Sequence, residues 1–127
     1  MLKFLGAFVT VGLLYIALGV PLLRRRVRPN MWYGLRVGET LANDEVWYEA
    51  NAICGKQFVV LGTFEALLAI ALYFAPWSDP EDYALVLSGV VLVSTVFCAF
   101  WGIATAREIS KRVLGGGAKD DQKRTPL

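Results

Sequence analysis

Three long apolar runs, separated by polar segments, constrain this chain more than any other feature. They cover about residues 4–23, 57–77 and 83–106. As a helix, each run is long enough to cross the hydrocarbon core of a bilayer, which is roughly 30 Å thick. Apolar residues make up 56% of the chain, and the charges collect between and after the runs. The sequence therefore predicts an all-α integral membrane domain over residues 1–114 with three transmembrane helices.

The first run could also be a secretory signal peptide, because Lys3 precedes it. It is longer than the apolar region of such a peptide and has no clear small-x-small cleavage site. It also ends in the basic stretch Arg24-Arg25-Arg26-Val27-Arg28. We interpret it as a retained membrane helix.

Basic residues are distributed unequally between the polar segments. Six Lys or Arg residues lie between the first and second runs, none between the second and third, and six after the third. Short loops rich in Lys and Arg stay in the cytoplasm. We therefore expect a multi-pass protein of the cell membrane with its N-terminus outside and its C-terminus in the cytoplasm. The last residues, 115–127, have no apolar pattern and are predicted to be a disordered tail.

The residue types exclude several functions. The chain has no His, and Cys54 and Cys98 are its only cysteines. We find no metal-ligand cluster, no nucleophile–base pair and no phosphate-binding glycine loop, so no enzyme, metal or cofactor is expected. Lys and Arg flank membrane segments instead of forming a basic face with stacking aromatics, so no nucleic-acid partner is expected. The arginines at 24, 25, 26 and 28 are expected to contact anionic lipid head groups.

The polar segment at residues 29–51, here called the signature segment, is dense in residues that bind rather than pack. Pro29, Gly34 and Gly38 predict a structured loop in its first half. Asn43 is a suitable helix N-cap, and the following acidic residues favour the helix dipole. We expect an amphipathic helix from there, lying at the interface before the chain enters the bilayer.

The polar residues of the signature segment follow a defined order: Asn30-x-x-x-Gly34-x-Arg36, then Thr40, then Trp47-x-x-x-Asn51. This order resembles the signature of the SdpI-type immunity protein family. Members are bacterial membrane proteins that protect a cell from a secreted peptide toxin. The resemblance implies that the segment faces the cytoplasm and that a peptide toxin and a cytoplasmic regulator are candidate partners. The longer family members carry an additional membrane region before the signature, whereas a single helix precedes it here.

Candidate binding residues are the six of this order together with Glu65, a carboxylate about two turns into the second membrane run. Such a group costs at least a few kcal/mol unless it is neutral, paired or facing water. Glu65 is therefore either a hydrogen-bonded structural group or a ligand or proton site. Counting turns places Tyr15, Thr95 and Cys98 at a similar depth.

Other residues of the segment also allow two interpretations. Arg36 is expected to bind a carboxylate of Glu39, Asp44 or Glu45, or else a lipid or ligand group. The aromatic residues Trp32, Tyr33, Trp47 and Tyr48 form either an interfacial belt or part of a binding site.

The leading hypothesis is a membrane protein that protects against or senses a membrane-active peptide, with the signature segment binding or signalling to a partner. A small transporter or channel subunit is an alternative, and its three helices would need a homo-oligomer to enclose a path. An accessory subunit of a larger membrane complex is a further alternative.

Overall fold

The computed structural model describes residues 1–124, and side chains as far as Gly116, and it is all-helical over that part of the chain. Its elements are α1 (Leu2–Leu23), α2 (Gly38–Ala42), α3 (Asp44–Tyr73) and α4 (Pro80–Arg124). Over the described residues, α1, α3 and α4 are long and apolar enough to cross a membrane. The all-α class with three candidate membrane helices is therefore confirmed.

The start of α3 differs from the expectation. The predicted amphipathic helix is not a separate element, because α3 is one continuous helix of 30 residues. Asn43 caps it as predicted, with its side chain accepting hydrogen bonds from the backbone N–H groups of Glu45 and Val46. At 1.5 Å per residue the helix is about 45 Å long, longer than the apolar core of a bilayer. Its first turns therefore lie beyond the part that a membrane would enclose.

The other helix boundaries also differ from the predicted ones. α3 ends at Tyr73, before the predicted Trp77, whose ring N–H donates to the carbonyl of Leu72 at 2.6 Å. α4 begins at Pro80, a residue suited to the first helical position because it lacks an N–H. The helix continues past residue 106 to Arg124. Residues 115–124 are thus helical in the region where a disordered tail was expected, and residues 125–127 lie outside the described part of the chain.

The connection after α1 is a sharp turn through Arg25, which has a positive φ of 54°. The N–H of Arg25 donates to Leu22 O at 3.0 Å, and the N–H of Arg26 donates to Pro21 O at 3.1 Å. This pair of bonds is the Schellman motif, which normally places glycine at the left-handed position. The chain leaves α1 at once and turns back toward α3.

α1 and α3 pack antiparallel along a line of glycines. A Cβ on Gly12 would lie 2.5 Å from the carbonyl oxygen of Gly62, and one on Gly19 would lie 2.6 Å from that of Gly55. Small residues of this kind let membrane helices approach to backbone contact. Small residues also recur along α4, at Ser88, Thr95, Ala99, Gly102 and Ala106. There Gly102 and Ala106 are buried, whereas Ser88 and Ala99 are exposed.

α4 packs on α3 at both ends of its apolar part. Near the signature segment, Ala106 and Ile109 pack on Val46 and Ala50 in a buried cluster. At the opposite end Tyr83 and Leu87 pack around Ala69, and the Tyr83 hydroxyl donates to the carbonyl of Ala69 at 2.8 Å. The contacts between these two clusters are partly polar, and they include Glu65.

Candidate functional site

The Asn51 side chain of α3 forms hydrogen bonds with the backbone of Leu35 in the signature segment. Its Oδ1 accepts from the Leu35 N–H at 2.6 Å, and its Nδ2 donates to the Leu35 carbonyl at 3.4 Å and to that of Trp47 at 3.0 Å. Only an amide side chain offers a donor and an acceptor in this arrangement. Asn51 is 2% exposed, so the pairing is shielded from water.

Both the backbone conformation and the close neighbours of residue 34 require glycine at this position. Its φ is +112°, a conformation that side chains of L-residues rarely adopt. A Cβ there would also lie 2.6 Å from Asn51 Oδ1. The glycine therefore makes room for the hydrogen bonds between Asn51 and Leu35.

Asn30 and Thr40 shape the two ends of the loop. Asn30 Oδ1 accepts from the N–H groups of Trp32 and Tyr33 at 2.8 and 2.7 Å, while its Nδ2 donates to Arg28 O at 2.8 Å. Thr40 is buried, and its hydroxyl accepts from the Val37 N–H at 3.0 Å and donates to the Leu35 carbonyl at 2.8 Å. Both side chains thus replace backbone hydrogen bonds that an irregular loop cannot make by itself.

Trp47 and Arg36 also bind backbone carbonyls. The Trp47 ring is fully buried, and its Nε1 donates to Val27 O at 2.9 Å. Arg36 Nη1 donates to Met31 O. The expectation that Arg36 binds Glu39, Asp44 or Glu45 is wrong. Glu39 pairs with Arg107 at 3.5 Å, and no ion pair of the described residues contains Arg36, Asp44 or Glu45. Arg36 reaches back along its own loop because Met31 lies only five positions before it.

The aromatic residues Trp32, Tyr33 and Trp47 lie in different environments. Trp32 is 90% exposed, as an interfacial belt residue would be, whereas the buried Trp47 belongs to the core of the segment. The Tyr33 hydroxyl donates to Leu18 O of α1, and burial raises the pKa of this hydroxyl above its ordinary value. The segment is therefore fastened to α1 by Tyr33 and to α3 by Asn51.

The structure thus brings together all six signature candidates, and the polar side chains among them bind backbone groups of this segment and its flanks. A role in binding a ligand stays a prediction for each of them. Sequence reasoning missed Leu35, whose backbone is the common partner of Asn51 and Thr40. An apolar residue inside a polar motif is the signal that could have identified it.

A cavity of about 270 Å³ lies directly beneath this loop, between α1, α3 and α4. Tyr33, Gly34 and Leu35 line it on the side of the signature segment. The remaining lining is mostly apolar: Leu18, Leu22, Cys54, Phe58, Thr95, Cys98 and Ala99. The Tyr15 hydroxyl is hydrogen-bonded to Thr95 Oγ1 at 2.6 Å, and the Tyr15 ring lies 5.6 Å from that of Phe58. Tyr15 therefore contacts two residues of the cavity lining, Thr95 and Phe58.

Glu65 lies between the helices and is 3% exposed. Its Oε1 accepts a hydrogen bond from the Ser94 hydroxyl at 2.8 Å, and its Oε2 has no partner among the described residues. Thr95 and Cys98, which the turn count places at this depth, line the cavity, and Ser94 adjoins Thr95. Sequence reasoning missed Ser94. Glu65 itself does not line the cavity, so the two features are neighbours rather than one site.

Two ion pairs join the signature segment to the part of α4 that follows the third apolar run. Arg107 pairs with Glu39 of α2 at 3.5 Å, and Arg112 pairs with Glu49 of α3 at 2.7 Å. All four side chains are partly exposed, so each pair contributes only up to about 1 kcal/mol. Among the described residues, no group of three or more His, Cys, Asp or Glu side chains could hold a metal ion.

Comparison with known proteins gives one match. A protein-family model described as the SdpI/YfhL protein family matches residues 26–106, which is more than half of the chain. The matched region begins in the basic stretch after α1 and includes the signature segment, α3 and most of the membrane part of α4. Searches of curated proteins and of solved structures gave no significant match.

Proposed function

Because the chain belongs to the SdpI/YfhL protein family, we propose that it protects its cell against a membrane-active peptide by binding an apolar part of that peptide in the cavity beneath the signature segment. The observation that carries this proposal is the cavity's position. Its walls come from three helices that a membrane would surround, and its cover comes from the loop that bears the signature residues.

The chemistry of the cavity supports an apolar ligand. Eight of its lining side chains are aliphatic, aromatic or thiol groups, and its volume of about 270 Å³ is slightly smaller than a typical small-molecule pocket. It would therefore take one or two side chains of a peptide and not the whole peptide. The rest of the peptide would lie along the outer surface of the helices.

The cavity also offers a route from ligand to signal. Leu35 lines the cavity and packs against the buried cluster of Val46, Ala50, Ala106 and Ile109. A side chain that displaced Leu35 would act on this cluster and on the hydrogen bonds between Leu35 and Asn51. The positive-inside pattern supports a cytoplasmic position for this end, where a regulator could detect the change.

Cells challenged with membrane-active peptides test the proposal when strains with and without the protein are compared. Ala99→Phe adds a ring at a residue that lines the cavity, and Ala104→Phe adds the same ring at a residue of α4 outside the cavity lining. We expect Ala99→Phe to abolish protection at wild-type protein level and Ala104→Phe to retain it. Protection by Ala99→Phe equal to that of the wild type would exclude the cavity as the binding site.

A small transporter or channel subunit is a second candidate, and the unpartnered Oε2 of Glu65 favours it. A carboxyl oxygen without a partner at membrane depth is typical of ion and proton pathways. Proton and cation flux in reconstituted vesicles, compared between wild type and Glu65→Gln, tests this candidate. Unchanged flux in the variant would remove its support.

A further inference from the structure

A groove runs along one side of the α3–α4 pair and has an apolar and a polar part. The apolar part, about 370 Å³, lies against Val60, Leu61 and Phe64 of α3 and Cys98 of α4. The polar part, about 660 Å³, lies against Thr105, Lys111 and Arg112 of α4. Ile53 lines both parts, so they adjoin at this residue, and we treat them as one groove.

We propose that this groove binds one anionic phospholipid, with an acyl chain in the apolar part and the phosphate between Lys56 and Lys111. Lys56 lines the apolar part near its junction with the polar part, and Lys111 lines the polar part. The groove lies apart from the cavity beneath the signature segment and shares only Cys98 with it. The inference is therefore independent of the proposed function.

The position of the groove relative to the membrane argues for a lipid. Its apolar part lies on the portion of α3 that belongs to the second apolar run, beside Cys98 in the third run. Its basic part includes residues that come after the third run ends at residue 106. The change from apolar to basic lining thus falls where hydrocarbon gives way to head groups, which is the order of chemical groups along a phospholipid.

The charges of the groove select an anionic head group. Arg112 is already paired with Glu49 at 2.7 Å, and Glu108 adds one negative charge to the polar part. Lys56 and Lys111 are exposed, and neither belongs to an ion pair of the described residues. The long stem of Lys56 can lie along apolar surface while its ammonium group reaches the head-group region. The lining therefore carries net positive charge, and its two unpaired cations lie on opposite sides of the junction.

Lipid titration of the purified full chain in detergent tests the proposal, with binding read from native mass spectra. The wild type is expected to prefer phosphatidylglycerol over phosphatidylcholine of the same chain length. The double substitution Lys56→Gln, Lys111→Gln should weaken phosphatidylglycerol binding roughly tenfold or more, because each juxtamembrane cation contributes to attraction of anionic lipid. Phosphatidylcholine binding should not change.

The matched control removes the same charge outside the groove: Arg24→Gln, Arg26→Gln alters two exposed residues that are expected to contact head groups but do not line the groove. A smaller loss of phosphatidylglycerol binding is expected in this control than in the double lysine variant. An equal loss in this control would mean that net charge alone attracts the lipid, and it would overturn the proposal. Equal wild-type affinity for the two lipids would overturn it too. Glycerol phosphate competing as well as the full lipid would show that the apolar part plays no role, which would also contradict it.

Two further variants keep the test decisive if the double substitution fails to fold. Lys56→Arg, Lys111→Arg preserves both charges and should retain the preference for phosphatidylglycerol. Val60→Trp adds bulk to an exposed position of the apolar part and should weaken binding of both lipids. Wild-type binding by Val60→Trp would place the acyl chain elsewhere and overturn the proposal.

Discussion

Gly19 and Gly55 bring α1 and α3 into backbone contact, since a Cβ on either glycine would lie 2.6 Å from the carbonyl oxygen of the other. About two helical turns further along, Gly12 and Gly62 repeat this approach. Two membrane helices gain little from the hydrophobic effect when they associate in lipid, so close packing must supply the attraction. The glycine line therefore lets α1 pack directly on the backbone of α3.

Gly55→Ala should destabilise the protein by about 1–3 kcal/mol, because the added methyl group overpacks a site with no space. Gly89→Ala is the matched control, since a Cβ at Gly89 would meet nothing within 4 Å. Unfolding in detergent, followed by circular dichroism, measures both changes. A loss no larger than that of the control would contradict the close approach of α1 and α3.

Gly34→Ala should cost more than about 1 kcal/mol, because alanine is strained at a positive φ and its Cβ would meet Asn51 Oδ1. Gly38→Ala places the same methyl group in open space at the first residue of α2. Limited proteolysis of the signature segment reports the effect locally. We expect faster cleavage in Gly34→Ala than in Gly38→Ala, and identical rates would speak against the role assigned to Gly34.

Arg25→Gly should stabilise the protein by roughly 0.5–1 kcal/mol. Glycine relieves the left-handed strain at φ 54°, which costs a non-glycine residue about 1–2 kcal/mol, although it adds about 0.5–1 kcal/mol of entropy to the unfolded chain. Arg24, with φ −81°, provides the control because Arg24→Gly relieves no strain and should not stabilise. Thermal unfolding of both variants in the same detergent gives the comparison, and a destabilised Arg25→Gly would contradict the Schellman geometry.

Glu65 and Ser94 should show a measurable interaction energy in a double-mutant cycle with Glu65→Leu and Ser94→Ala. Hydrogen bonds between membrane helices average about 0.6 kcal/mol, and we expect a coupling of at least that size from the 2.8 Å contact. Thr10→Val replaces Ser94→Ala in the control cycle, because the Thr10 hydroxyl bonds only its own helix at Gly6 O. Coupling equal to that of the control cycle would mean that the contact contributes nothing to stability.

The signature segment illustrates what a motif can and cannot reveal. Residue types predict a structured loop and an N-cap at Asn43, because turn residues and caps act on their own neighbours in sequence. The partner of Arg36 could not be predicted in this way. Three carboxylates were within reach by sequence, and the folded loop instead presents the carbonyl of Met31 while Arg107 of α4 pairs with Glu39.

The sequence by itself determined that three apolar helices cross a membrane and where the polar segments between them lie. In lipid a chain must satisfy its backbone hydrogen bonds internally, so a long apolar run has few structures besides a helix. Only the tertiary structure decided that Glu65 faces Ser94, that glycines join α1 to α3, and that Leu35 covers a cavity. A helix that is apolar on every side has no hydrophobic periodicity from which to predict the face that it turns toward its neighbours. Its contacts therefore depend on how the whole helices pack.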